Sequence, residues 1–189
     1  MDLKALLNKY ENNGEKTEWL SLKDDGDNVM VRFLHSNEND LDVFEVHNFE
    51  VDGYNQSIKC LGDECVFCKE GHRPQLKMWL QMIDLEDGNK VKVWSRGVSD
   101  IKKILEEIAE NGNLNERDYK IKRVGKKGST KTQYLFYAKD KKERELKERK
   151  KVEGYFVRVV TPEDMYSIIE GTFTFKKDTV GTTKDEDVF

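Results

Sequence analysis

The chain has 189 residues, room for one compact domain of about 100–150 residues with additional terminal segments. Charged and hydrophobic residues each make up 37% of it, so the core is economical and the surface ionic; no apolar run approaches a membrane span and no signal peptide is expected. Its three cysteines, an odd number crowded between Cys60 and Cys68, do not suit a secreted disulfide framework, and a soluble protein of a reducing cytosol is expected.

The net charge of −4 hides a polarity along the chain. Residues 1–70 carry 7 basic and 16 acidic side chains, net −9, whereas residues 116–151 carry 15 basic and 6 acidic, net +9. A basic segment in an acidic protein is a local footprint for a polyanion, and the acidic remainder limits indiscriminate binding.

In chain order, residues 1–13 read as a short amphipathic helix, with Leu3, Leu6, Leu7 and Tyr10 on one side and Gly14 as its end. From Trp19 to Val51 the apolar spacing alternates, predicting a meander of three strands over Trp19–Leu22, Val29–Leu34 and Val43–Phe49. A polar, glycine-containing insertion at 52–74 follows, then two strands at 75–84 and 90–96 joined by the turn Glu86-Asp87-Gly88-Asn89. Ser99 opens a helix over Asp100–Glu110, with Ile101, Ile104, Leu105 and Ile108 as its buried stripe. Strands resume at Tyr119–Val124 and Gln133–Ala138 around a basic loop. The almost wholly charged stretch 139–151 is either a solvated helix laced by i,i+4 pairs or a nucleic-acid contact. A strand at Tyr155–Val160, a helix at Glu163–Glu170 and a sparsely apolar tail complete the chain.

The resulting expectation is a mainly β protein: an OB-fold barrel with a zinc-binding insertion, one helix before the last strand pair, and an acidic C-terminal tail. Its divisions are an N-terminal helical segment (1–14), an OB domain (15–160) holding a zinc subdomain (47–74), and a C-terminal helix with the tail (161–189).

His47, Cys60 and the pair Cys65-Val66-Phe67-Cys68 supply three sulfurs and one nitrogen, the donor set of a closed tetrahedral Zn²⁺ site. His72 is close enough in sequence to compete with His47 as the fourth ligand. A filled shell leaves no open position, so the zinc is read as structural and the protein as no enzyme. His35 is read as structural or exposed, and Gly125-Lys126-Lys127-Gly128 lacks the spacing of a phosphate loop.

Side-chain alternation sets Lys77, Trp79 and Gln81 on one face of the first middle strand, and Lys90, Lys92, Trp94 and Arg96 on one face of the second. Two tryptophans among cations form a surface on which unpaired bases can stack while the cations hold phosphates. Lys122, Arg123, Lys126, Lys127 and Lys131 of the basic loop extend it, with Tyr134 and Phe136 as further aromatic candidates beside Tyr119 and Tyr137.

With these residues assembled, the chain resembles the single-stranded DNA-binding (helix-destabilising) proteins of T4-type and related phages. The resemblance is clearest over residues 17–72: Glu18-Trp19-Leu20-Ser21-Leu22-Lys23, Val29-Met30-Val31-Arg32-Phe33-Leu34, Val46-His47-Asn48-Phe49, then Cys60 and Cys65-Val66-Phe67-Cys68. It implies a histidine followed after twelve residues by a cysteine as zinc ligands, which favours His47, and an OB-fold that coats unwound DNA in phage replication, recombination and repair in the cytoplasm of an infected bacterium. It also implies that the acidic end, Asp185, Glu186, Asp187, Val188 and Phe189, recruits replication and recombination proteins, and that the protein can self-associate on DNA. The alternative reading is a zinc-containing adaptor or transcription regulator that meets duplex DNA or a polymerase through 139–151.

Overall fold

The computed structural model describes residues 17–175; the expected N-terminal helix and the tail residues Asp185 to Phe189 lie outside them. The strands are β1 (Glu18–Trp19), β2 (Asn28–Phe33), β3 (Asp42–Val51), β4 (Tyr54–Lys59), β5 (Gln75–Asp84), β6 (Lys90–Arg96), β7 (Arg117–Val124), β8 (Gln133–Lys141) and β9 (Val157–Arg158). Among the described residues three α-helices join them: α1 (Val66–Lys69), α2 (Val98–Asn111) and α3 (Pro162–Ile169). These nine strands belong to one open, mixed sheet.

β5 organises the sheet. Residues 78–83 of it, Met-Trp-Leu-Gln-Met-Ile, are buried on both faces, and a strand with no exposed face has to lie between partners. β6 runs antiparallel along one edge, Leu80 opposite Trp94 and Asp84 opposite Lys90. Along the other edge β2 and β3 run end to end, Phe33 opposite Met82 and Asp42 opposite Trp79. The expected three-strand meander is therefore not formed. β2 and β3 behave as one long strand interrupted by an excursion at 34–41, and β1 leaves them to pair in parallel with β6.

β7 pairs with β2 and β8 pairs with β7, but β6 and β8 exchange no backbone pairing among the described residues. They meet instead through side chains, the Trp94 and Tyr134 rings lying edge to face 4.7 Å apart. The core of this curved half comprises Val29, Val31, Phe33, Leu80, Met82, Tyr119 and Ile121, capped by Ile101 and Ile104 of α2. Helix α2 takes its length from the Ile101, Ile104 and Ile108 stripe and stops at Gly112, whose positive φ of 79° suits glycine.

The insertion holds more structure than its composition suggests. Asp52 and Gly53 both have positive φ, 55° and 77°, and turn β3 tightly into β4, Val51 opposite Tyr54. α3, with Pro162 in its first turn, is capped by Thr161, whose hydroxyl accepts from the Asp164 N–H while its own N–H donates to the Asp164 carboxylate, and it returns to pack on the same lobe. Met165 and Ile168 meet Val51, Ile58, Val66 and Phe67 there. The C-terminal helix thus belongs to the lobe built around the cysteines.

Residues 142–151 form neither a helix nor a strand. They cross the molecule as a strap whose polar groups serve buried partners. Arg144 and Arg32 share the Asp118 carboxylate, each at 2.8 Å, which lowers the Asp118 pKa against the cost of its burial. Arg32 also donates to the carbonyls of Asn115 and Lys142. Gln81, fully buried, exchanges two hydrogen bonds with the Lys150 backbone at 2.7 and 2.8 Å. Beyond the strap, Val152, Phe156 and Val157 close over Trp79, Val93 and Val46. The hydrogen bonds of Gln81 with the Lys150 backbone and the pairing of Arg144 with Asp118 hold the segment across the sheet, and it does not coil into a solvated helix.

His35 lies under the same strap, fully buried. Its Nε2 accepts from the Gln81 N–H at 2.9 Å, which puts the proton on Nδ1, 2.9 Å from the Asp40 carbonyl. Burial, with the Arg149 guanidinium beside it, lowers the His35 pKa to about 4. Because the unfolded histidine titrates near 6.5, the native state is favoured by up to about 3 kcal/mol above that pH, and this contribution disappears as pH falls from 6.5 to 4. Urea unfolding of the native chain and of His35→Gln at pH 7 and pH 4.5 is expected to show the larger pH loss in the native chain; parallel losses would show that His35 is not the group responsible.

Candidate metal centre and nucleic-acid interface

The four expected metal ligands converge. His47 projects from β3, Cys60 follows β4, Cys65 precedes α1 and Cys68 lies within it. The ligand atoms of His47, Cys60, Cys65 and Cys68 all lie within 4.8 Å of one another. His47 Nε2 stands 3.4 Å from Cys65 Sγ and 3.5 Å from Cys68 Sγ, and Cys60 and Cys68 sulfurs are 3.6 Å apart. Bonds of about 2.3 Å to sulfur and about 2.0 Å to nitrogen at tetrahedral angles require edges of roughly 3.8 and 3.5 Å. The three shortest separations are close to those edges, and the three cysteines are free.

Local structure explains the convergence. The Cys60 N–H donates to the Glu45 carbonyl at 2.9 Å, two residues before His47, so the end of β4 is held against β3. Gly62, with φ of 63°, starts the turn that brings Cys65 back, and the first turn of α1 carries Cys68 to the same side. Phe67 stacks on Phe49 at 4.3 Å and tilts against His47 at 5.2 Å, which fixes the imidazole. His72 is exposed, edge-on to Phe49, and is not part of the cluster.

The protonation states suit a cation. Burial, with a contribution from His72, lowers the His47 pKa, which keeps the ring neutral. Cys68 is pushed up to about 12 by burial and by the neighbouring thiols, while hydrogen bonds bring Cys65 down against its burial. Three thiols this close cannot all ionise alone, so a bound cation would displace protons as it entered.

The expected aromatic surface on β5 and β6 is not formed. Pairing of Leu80 with Trp94 puts Trp94 on the Leu80 face, and Trp79 lies on the Val93 face. The two indoles are therefore on opposite sides of the sheet, 1% and 4% exposed. Trp79 is covered by Val152, Phe156 and Val157, and Trp94 by Tyr134 and Phe136. Lys77 donates to Asn48, Lys90 and Lys92 are tied to Asp87 and Glu18, and Lys92 also to Asp84 at 2.9 Å. Arg96 is anchored by Asp100 at 2.9 Å and lies over the Trp94 and Tyr134 rings. Arg123 is buried as well. It points its guanidinium at the Leu22, Gly125 and Lys126 carbonyls and at Thr132, and so closes the neck of the basic hairpin. The Gly125 N–H likewise donates to Asp25. Tyr134 is buried and Phe136 is packed between Phe33 and Trp94.

The outer side of the β7–β8 hairpin stays available. Lys122, Lys126, Lys127 and Lys131 were expected there, and Lys120 and Lys139 join them. These six lysines have no ion pair among the described residues. Lys120 stands opposite Tyr137 and Lys122 opposite Leu135, so both faces of β8 carry apolar side chains and alternation alone could not choose between them. The distinguishing signal was the core assignment of Tyr119 and Ile121, which forces Lys120 and Lys122 outward. Of the basic stretch 139–151, Arg144 and Arg149 are instead held by Asp118, Asp40 and Asp42.

The chain matches no family model, and no curated protein matches it. No helix among the described residues is long and apolar enough to cross a membrane.

Native mass spectrometry at neutral pH is expected to find one divalent ion per chain, absent from Cys65→Ser; hydrogen exchange should then rise in α1 and the β3–β4 hairpin more than in β2 and β7. Retention of the ion by the variant would rule out this ligand set. Trp79→Ala is expected to lower unfolding stability by about 3–5 kcal/mol as a core truncation, read by denaturant melting.

Proposed function

We propose that this chain is a sequence-nonspecific single-stranded DNA-binding protein with a structural zinc ion and no catalytic activity. The observation that carries the reading is the group of six lysines without ion pairs on the β7–β8 hairpin. Six cations clustered on one hairpin without a carboxylate partner among the described residues are available to phosphates.

The strand path supports it. Taking β2 with β3 as the first strand, then β5, β6, β7 and β8, with α2 between the third and fourth, gives the connectivity of a partly open five-stranded OB barrel, whose last hairpin loop is a recurrent oligonucleotide contact. The metal lobe is then an insertion between the first two strands. Three thiolates and an imidazole at tetrahedral spacing favour zinc over harder cations, and a filled shell makes the ion a folding element. On this reading the protein coats unwound DNA in replication, recombination and repair, in the cytoplasm of the host if it is phage-encoded. The acidic residues Asp185 to Asp187, with Val188 and Phe189, recruit partner proteins.

An adaptor that reads duplex DNA through residues 139–151 has less support, because Arg144 and Arg149 are held by acidic groups of the protein itself.

The test is a titration with labelled oligo-dT at several salt concentrations, competed by duplex. The native chain is expected to bind oligo-dT in preference to duplex. The triple change Lys126→Ala, Lys127→Ala, Lys131→Ala is expected to reduce the slope of log affinity against log salt by about 2, at roughly 0.7 for each phosphate that the variant no longer neutralises. An unchanged slope, or equal competition by duplex, would refute the assignment.

A further inference from the structure

We infer that Tyr137, with Leu135 beside it, is the base-stacking platform of this protein, on the outer face of the β7–β8 hairpin; this rests on the single-strand reading above. Tyr137 is 44% exposed and Leu135 36%, although both are large apolar side chains of the kind the fold mostly buries. They lie two residues apart on β8 and so share a face. Across the ladder that face continues with Lys122 opposite Leu135 and Lys120 opposite Tyr137, both without ion pairs among the described residues.

The other aromatics near the hairpin are engaged: Tyr119 and Tyr134 are buried, and Phe136 packs on Phe33 and Trp94. A ring standing among unpaired lysines matches a ligand that is flat and apolar in one part and anionic in another. An unpaired nucleotide is such a ligand, and a duplex is not, because its base faces are hidden in the stack. An acidic protein partner would use the same charges without needing the flat ring face, and the test separates the two.

The native chain, Tyr137→Ala and Tyr137→Phe are titrated with oligo-dT and with an abasic deoxyribose-phosphate oligomer of the same length. Tyr137→Ala is expected to bind oligo-dT roughly 5- to 150-fold more weakly, to bind the abasic oligomer as the native chain does, and to keep its salt slope, while Tyr137→Phe binds as the native chain. Tyr137→Trp supplies a second measurement, since it sets an indole on the open face and its emission is expected to be quenched by oligo-dT. If Tyr137→Ala binds oligo-dT normally, or Tyr137→Trp shows no added quenching on saturation, the platform is refuted while the single-strand reading stands. A native chain that binds neither oligomer refutes both. Equal weakening toward oligo-dT and the abasic oligomer would make Tyr137 a structural support and overturn the stacking role.

Discussion

A strand that is buried on both faces has to be covered twice, and β5 sets that requirement for the whole molecule. Its Met78, Leu80 and Met82 side is covered by the curved sheet and by α2, and its Trp79 side by Val152, Phe156 and Val157. Covering the second side obliges the chain, after β8, to cross back over the sheet. The crossing brings β9 beside β4, Ser57 opposite Val157, and so delivers α3 to the metal lobe. The connection between the curved half and the metal lobe follows from the need to bury Trp79.

The strap is held in its crossing by polar groups. Arg144 joins Arg32 on the Asp118 carboxylate and the Lys150 backbone satisfies buried Gln81, while Arg149 stands beside His35 and is itself held by Asp40 and Asp42. These ion pairs are only partly buried, so together with the buried Gln81 hydrogen bonds they fix the register of the strap more than they add net stability. The same use of charge explains why the hairpin lysines stand out. Arg144 and Arg149 are matched by carboxylates of the protein, whereas the lysines clustered on the hairpin are not.

The metal lobe solves a different problem. Between Val51 and Met78 the chain has few large apolar residues, and its own cluster is centred on Phe67, Ile58 and Met165. A small core of that kind is strengthened when four side chains from separate turns share one ion. His47 also ties the cluster to β3, the strand that pairs along β5, so an ion bound there would brace the same sheet that carries the hairpin.

Much of this was written in local sequence. The pair Cys65 and Cys68, with Cys60 and a histidine on the preceding strand, is legible because ligand type and spacing alone limit what can form, and the helix stripe of Ile101, Ile104 and Ile108 and the turn at Asp87-Gly88 depend only on neighbouring residues. Asp52-Gly53 carried an equally local hairpin signal that its polar surroundings masked. What the tertiary structure alone decided was which face of each strand meets which neighbour. The register of β5 on β6 sent Trp79 and Trp94 to opposite sides of the sheet, and the pairing of β7 with β8 set Tyr137, not Tyr134, beside the outward lysines. A strand's alternation gives two faces, but only its partners determine which is buried, and a run of lysines and arginines gives charge, while only the folded positions of Asp118, Asp40 and Asp42 determine which of those charges remain for a ligand.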